Sequence, residues 1–285
     1  MSDFSDQYWT SRDGLKLHYR DYPGRQDRPP LVCLPGLTRN VRDFERLARR
    51  LAGEWRVLCP EMRGRGDSAY SKDSVTYNPL QYVNDVTALF EQAEVTRFAA
   101  VGTSLGGLMT LLFAAGSPDL LAGALLNDIG PEIEPAGLER IGSYVGQARS
   151  FPTWMHAARA LEESQGGAYP DFAVSDWLDL AKRVMTVGSN GRIVFDYDMK
   201  IAEPFKVPGG AAPPNLWPTL AGLQGKPVLL IRGALSDVLS AETFARMQQE
   251  LPQAEAVTLP RVGHAPTLDE PEAAAAIDRW LAKLG

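Results

Sequence analysis

Apolar and polar positions alternate through 15–19 within a strand-like stretch at 15–22, just after an Asp13-Gly14 turn signal, and a shorter run at 8–10 lies before it. A period of two marks a strand with one buried face, so these stretches predict a hairpin-like start. Mostly apolar, strand-like runs follow at 31–34, 56–59, 98–102 and 121–127, alternating with helical patterns. In 78–94, Tyr82, Val83, Val86, Leu89 and Phe90 recur at helical spacing behind an early Pro79, which predicts a helix. Mostly apolar runs suit strands buried on both faces. Their alternation with helices predicts a mostly parallel sheet flanked by helices. Further strand runs stand at 226–233 and 256–259.

The rhythm changes between 130 and about 225, a gap far longer than a typical crossover. The stretch holds helical patterns at 136–147, 153–163 and 174–186 and is rich in aromatics and methionine as a whole, and a Pro- and Gly-rich stretch at 208–214 reads as the return linker. The expected organisation is a core domain made of 1–130 and 216–285, with 131–215 inserted as a helical cap over the sheet's carboxyl edge. More than half of the cap aromatics should pack the cap itself. A few should line a pocket, and Trp154 and Trp177 are the candidates.

Composition narrows the function classes. A chain of 285 residues with 45% hydrophobic content can build one large α/β domain. No run reaches the roughly 18 apolar residues of a membrane span. The start of the chain lacks the basic-then-apolar order of a secretory signal. A net charge of −6 with interspersed signs argues against nucleic acid. Cys33 and Cys59 each sit inside a strand run, which suggests core thiols and a reducing cytoplasm. Neither these cysteines nor the three scattered histidines have metal-ligand spacing, so no metal site is expected.

The candidate chemistry centres on Gly102, Ser104 and Gly106, a Gly-x-Ser-x-Gly turn between the strand run 98–102 and a helical pattern. A turn this sharp raises the serine hydroxyl above the sheet edge and leaves no room for side chains two residues to either side. Ser104 is the expected nucleophile, and a serine hydroxyl needs a base within hydrogen-bond reach. His18 reads as a strand residue and His156 falls in the cap. His264 stands on a loop past the strand at 256–259, from which it can reach back over the sheet, and is the expected base. A carboxylate must hold that imidazole. Asp237, on the loop after the 226–233 strand, gives the chain order Ser, Asp, His and is the expected acid. Asp128, ending the previous strand beside Gly130 and Pro131, is the alternative.

With these residues the chain resembles the α/β-hydrolase superfamily over nearly its whole length. Residues 31–39 resemble the family's strand ending in His-Gly, with Pro35 in the histidine's place. Residues 60–68 resemble its Asp-x-Arg-Gly-x-Gly-x-Ser loop, with Glu61 for the aspartate, and 268–271 resemble a common continuation after the histidine. The resemblance implies an α/β-hydrolase fold and backbone N–H groups of Leu37 and Leu105 as the oxyanion hole, where two leucine side chains suggest an apolar wall. It further implies a serine hydrolase, without cofactor, that cleaves a carboxylic ester or lactone through an acyl-enzyme; the cap aromatics suggest a small apolar or aromatic substrate, and the core thiols a cytoplasmic location. Its partner would be a small-molecule substrate only. Alternatives are a carbon–carbon bond hydrolase of ring-cleavage products, a cofactor-free haloperoxidase, or a small-molecule receptor on the same scaffold.

Overall fold

The computed structural model describes residues 3–206 and 215–285. The chain opens with β1 (Ser5–Thr10) and β2 (Lys16–Tyr22), an antiparallel pair. Then come β3 (Leu31–Leu34), α1 (Glu45–Leu51), β4 (Val57–Pro60), α2 (Pro79–Gln92), β5 (Phe98–Thr103), α3 (Leu105–Gly116) and β6 (Leu121–Asn127). The intervening segment holds α4 (Pro135–Tyr144), β7 (Ser150–Phe151), α5 (Trp154–Gln165), α6 (Val174–Val184), β8 (Met185–Val187) and β9 (Ile193–Phe195). The chain returns through β10 (Val228–Gly233), α7 (Ala241–Glu250), β11 (Glu255–Leu259) and α8 (Pro271–Leu281). The proposed linker at 208–214 lies outside the described residues.

The main sheet has eight strands in the order β1-β2-β4-β3-β5-β6-β10-β11. Strands β4 to β11 run parallel, and β1 and β2 join antiparallel at one edge. Period two sorts the parallel strands between two cores. Val32, Leu34, Phe98, Ala100, Leu126 and Leu230 pack with α2 and α3 on one face. Leu31, Cys33, Ala99, Val101, Leu125 and Ile231 pack with α1 and α8 on the other. The mostly apolar runs arise because each strand serves both faces. Cys33 and Cys59 are buried, free thiols within the second core.

The helix predicted at 78–94 is α2. Asn78 caps it by accepting from the Gln81 N–H at 2.9 Å, and Pro79 occupies the first turn, where no N–H is needed. The cap segment contains more than helices. β7, β9 and β8 form a three-stranded sheet, and α6 ends at Val184, where Met185 turns into β8. Strands of two or three residues are too short for alternation to register. Among the described residues, no helix is long and apolar enough to cross a membrane.

Candidate active site

The strand order reverses at β3, whose two neighbours β4 and β5 both follow it in sequence. A crevice opens outside the carboxyl ends at such a switch point. Ser104 sits there, between β5 and α3, with φ +53° and ψ −115°. That backbone is rare for a side-chain-bearing residue and is held from both sides. The Ser104 N–H donates to the Asn127 carbonyl at 3.1 Å, and the Gly107 N–H donates back to the Ser104 carbonyl at 2.9 Å. A Cβ on Gly106 would lie 1.9 Å from the Leu34 carbonyl oxygen, and one on Gly102 2.5 Å from that of Gly106. The two glycines let α3 rest directly on the strand ends.

From Ser104 a hydrogen-bonded chain runs inward. Its Oγ lies 2.9 Å from His264 Nε2, and His264 Nδ1 lies 2.7 Å from Asp128 Oδ2. A carboxylate at Nδ1 can only accept, so Nδ1 carries the proton and Nε2 presents its lone pair to the serine hydroxyl. Asp128 is fully buried. Its Oδ1 accepts from the Gly233 N–H at 2.8 Å, and Oδ2 also accepts from the Ser236 hydroxyl at 2.6 Å.

The carboxylate on His264 is therefore Asp128, and the expectation of Asp237 is corrected. Asp237 is gripped by Arg140 of α4, whose Nη2 donates to Oδ1 at 2.8 Å while Nε meets Oδ2. The Arg140 hydrogen bond holds the Asp237 carboxyl below its ordinary pKa against the opposing effect of burial. β6 and β10 are adjacent, Asn127 pairing with Ile231, so acids beyond either strand end approach the same histidine. Chain order does not distinguish them. What does is Arg140, which engages the later one.

The other histidines lie elsewhere. His156 bonds Thr153 at the start of α5. His18 is buried between Glu61 Oε2, 2.8 Å from Nδ1, and Asp6 Oδ1, 2.9 Å from Nε2. His18, Glu61 and Asp67 bring donor atoms within 4.8 Å of one another. Both His18 nitrogens already face carboxylates, which suits an imidazolium rather than a metal ligand. Burial disfavours that charge, but the Glu61 hydrogen bond and charge, with Asp6 and Asp67, outweigh it, and the His18 pKa is raised.

Glu61 organises the loop that resembles the family's Arg-Gly-x-Gly stretch. It accepts from the Val41 N–H at 3.2 Å and the Asp67 N–H at 2.7 Å. Gly66, at φ +52°, passes so close that a Cβ would sit 2.0 Å from Glu61 Oε1. The loop aims Arg65 at the turn after β3, where Nε and Nη2 both donate to the Leu37 carbonyl, at 2.9 and 2.7 Å. Leu105 is the first residue of α3, so its N–H has no acceptor within the helix. The Leu37 side chain borders the cavity beside Ser104, whereas that of Leu105 turns into the core.

Cap residues complete the enclosure. Ile141, Tyr144, Phe151, Leu161 and Leu180 face the same cavity as Ser104 and His264. Trp154 and Trp177 do not line it. Trp177 is buried in the cap's own core against Tyr169 and Phe172, and Trp154 packs on that core from outside. Tyr169 also braces the histidine loop, its hydroxyl donating to the Ala265 carbonyl at 2.7 Å. From the sheet side, Asn127 Nδ2 donates to the Pro266 carbonyl at 2.9 Å. Sequence reasoning missed Ser236, Arg65, Tyr169 and Asn127. Only Arg65 stood in a motif, and nothing there separated it from Arg63, which pairs with Asp85 and Asp13 instead.

This fold and site define an α/β hydrolase. The chain belongs to the alpha/beta hydrolase family, whose profile matches residues 31–277. It is 34% identical over 265 residues to a 3-hydroxybutyrate-oligomer hydrolase of Cupriavidus necator, covering 90% of this chain and 89% of that one. A 2-(acetamidomethylene)succinate hydrolase of Mesorhizobium japonicum is 25% identical over 246 residues, 83% of this chain and 81% of the other. Among solved structures, an α/β hydrolase from Novosphingobium aromaticivorans superposes with a TM-score of 0.95 at 61% identity, over 99% of both chains.

Proposed function

We propose that this hydrolase cleaves carboxylic esters with Ser104 as nucleophile, His264 as general base and acid, and Asp128 as the carboxylate that orients the imidazole. The observation that carries the reading is the unbroken line from Ser104 Oγ through His264 to buried Asp128, opening on a cavity with both apolar and charged side chains in its wall. In the reaction His264 Nε2 takes the Ser104 proton as Oγ bonds to the ester carbonyl carbon. The Leu37 and Leu105 N–H groups hold the resulting oxyanion. The intermediate collapses as the imidazolium gives its proton to the leaving alcohol. Water then attacks the acyl-enzyme by the same route, releasing the acid and restoring Ser104. Asp128 stabilises the imidazolium each time it forms.

The relative named for hydrolysis of 3-hydroxybutyrate oligomers supports ester chemistry, since such oligomers are joined by ester bonds. Segment 131–215 acts as a lid that sets substrate choice, a role supported by the apolar side chains it turns toward Ser104. Ser104→Ala should reduce kcat on 4-nitrophenyl butyrate by about 10⁶, as loss of one triad member does elsewhere. Retention of more than about a hundredth of wild-type turnover in a folded, contaminant-free variant would refute the nucleophile assignment, being far above that expectation.

A further inference from the structure

Arg39 is the unexplained charge in the cavity. It lies just past Leu37, and its side chain runs along the same wall as the serine. A Cβ built on Gly36 would meet Arg39 Cγ at 3.3 Å and Ser104 Cβ at 3.8 Å. Only 21% of the Arg39 side chain is exposed. Among the described residues its ion-pair partner is Asp43, with Nη1 3.7 Å from Oδ1, beyond hydrogen-bond distance. A guanidinium so enclosed, with five donors and no strong acceptor, is costly to maintain unless a ligand completes it.

The surroundings carry the same sign. Arg149 and Arg183 also border the cavity, and Asp43 is the sole carboxylate that does so among the described residues. Arg183 is engaged by Asp269 at 3.0 Å, and Arg149 lies over the Phe151 ring at 5.4 Å. A cationic pocket in a chain of net charge −6 is a local exception, and a low-dielectric cleft concentrates its field on what enters. Apolar walls with one planar, forked cation suit an aliphatic molecule that ends in a carboxylate.

We propose that Arg39 anchors a free carboxylate of the substrate, so that the ester presented to Ser104 belongs to a molecule carrying an acid group a few bonds away. Monoesters of dicarboxylic acids and linear dimers of hydroxy acids are the simplest members of that class. The inference rests on the ester-hydrolase reading above and names its substrate class.

Two substrate pairs test it on the full chain: monoethyl adipate against ethyl hexanoate, and the 3-hydroxybutyrate dimer against its terminal methyl ester. The first pair puts the acid in the acyl half and the second in the alcohol half. Wild type should prefer the acid in at least one pair. Arg39→Met should lower that acid-to-neutral ratio of kcat/KM by about 10- to 100-fold, mainly through KM, the factor for a lost hydrogen bond to a charged group. Arg39→Lys should restore part of the ratio by keeping the charge without the fork. Equal losses on acid and neutral members, or no acid preference in either pair, would overturn the anchor. Inactivity on all four esters would instead sink the ester-hydrolase reading. The anchor would then stand or fall on adipate binding by calorimetry, which must be present in wild type and lost in Arg39→Met.

Discussion

Only one carboxylate can occupy Nδ1 of the His264 imidazole, and two aspartates follow the ends of the adjacent strands β6 and β10. Asp128 holds the place with its charge shared among His264, the Gly233 N–H and the Ser236 hydroxyl, while Asp237 is committed to Arg140. Asp128→Asn should lower kcat by about 10⁴, because an amide favours the wrong tautomer of the base. Asp237→Asn breaks a part-exposed ion pair and should cost less than about tenfold. Comparing kcat of the two variants at one pH checks this, and the reverse ranking would return the acid to the loop after β10. Ser104 and His264 could be read from sequence because a Gly-x-Ser-x-Gly turn and a loop histidine each have few alternatives here. The acid could not. The carboxylate at Nδ1 is held by contacts between positions 105 to 136 apart in the chain, and no local pattern reports such pairings.

At the scale of elements, α3 shows how one helix can need glycine at one end and waste it at the other. Gly106 faces the Leu34 carbonyl with no space for a Cβ, while Gly116 is exposed with nothing within 4 Å of a Cβ. Gly106→Ala should push α3 off β3 and cost about 3 kcal/mol or more, at the upper end for overpacking. Gly116→Ala should stabilise by roughly 0.5 kcal/mol, since alanine loses less backbone entropy in a helix. Urea unfolding of the two variants checks the opposite signs. The core strands and α2 were legible because each is long enough to show its period and carries its own boundary signals, such as Asn78 and Pro79. The β7-β9-β8 sheet was not. β7 pairs with β9 across 42 or more residues of chain, Phe151 in register with Ile193, and although β8 and β9 are close in sequence, each strand is too brief to carry a pattern.

Across the whole molecule, the cap is tied to the core at more than its chain ends. Arg42 of the core donates to the carbonyls of Lys182, Arg183 and Met185 at the end of α6, and its Nη2 meets Asp196 at 2.6 Å. The Glu61 loop joins the same seam, the Gly66 N–H donating to the Asp196 carbonyl at 3.1 Å. His18 underpins that loop between the Glu61 and Asp6 carboxylates, and its pKa is raised above the ordinary 6.5. A group whose folded pKa exceeds its unfolded value stabilises the fold fully below the unfolded pKa and loses that contribution as pH rises through the folded one. Wild-type Tm should therefore decline from about pH 6.5 into the alkaline range. His18→Gln, which cannot titrate, should flatten the decline even if it lowers Tm throughout. Parallel slopes for the two proteins would remove His18 as the cause. The mostly parallel sheet flanked by helices could be anticipated from alternation, whereas its strand order and this seam could not, the seam because it is built from side chains reaching backbone across the fold.

The adjacency of β6 and β10 also has an evolutionary meaning. Two neighbouring strand ends open toward one histidine, so an acid can change strands while the base and nucleophile stay where they are. Any lineage making that exchange without losing the base's partner must pass through a chain that holds both carboxylates. This chain holds both, one hydrogen-bonded to the histidine and the other kept by Arg140, which makes it a ready starting point for moving that carboxylate from one strand end to the next by substitution.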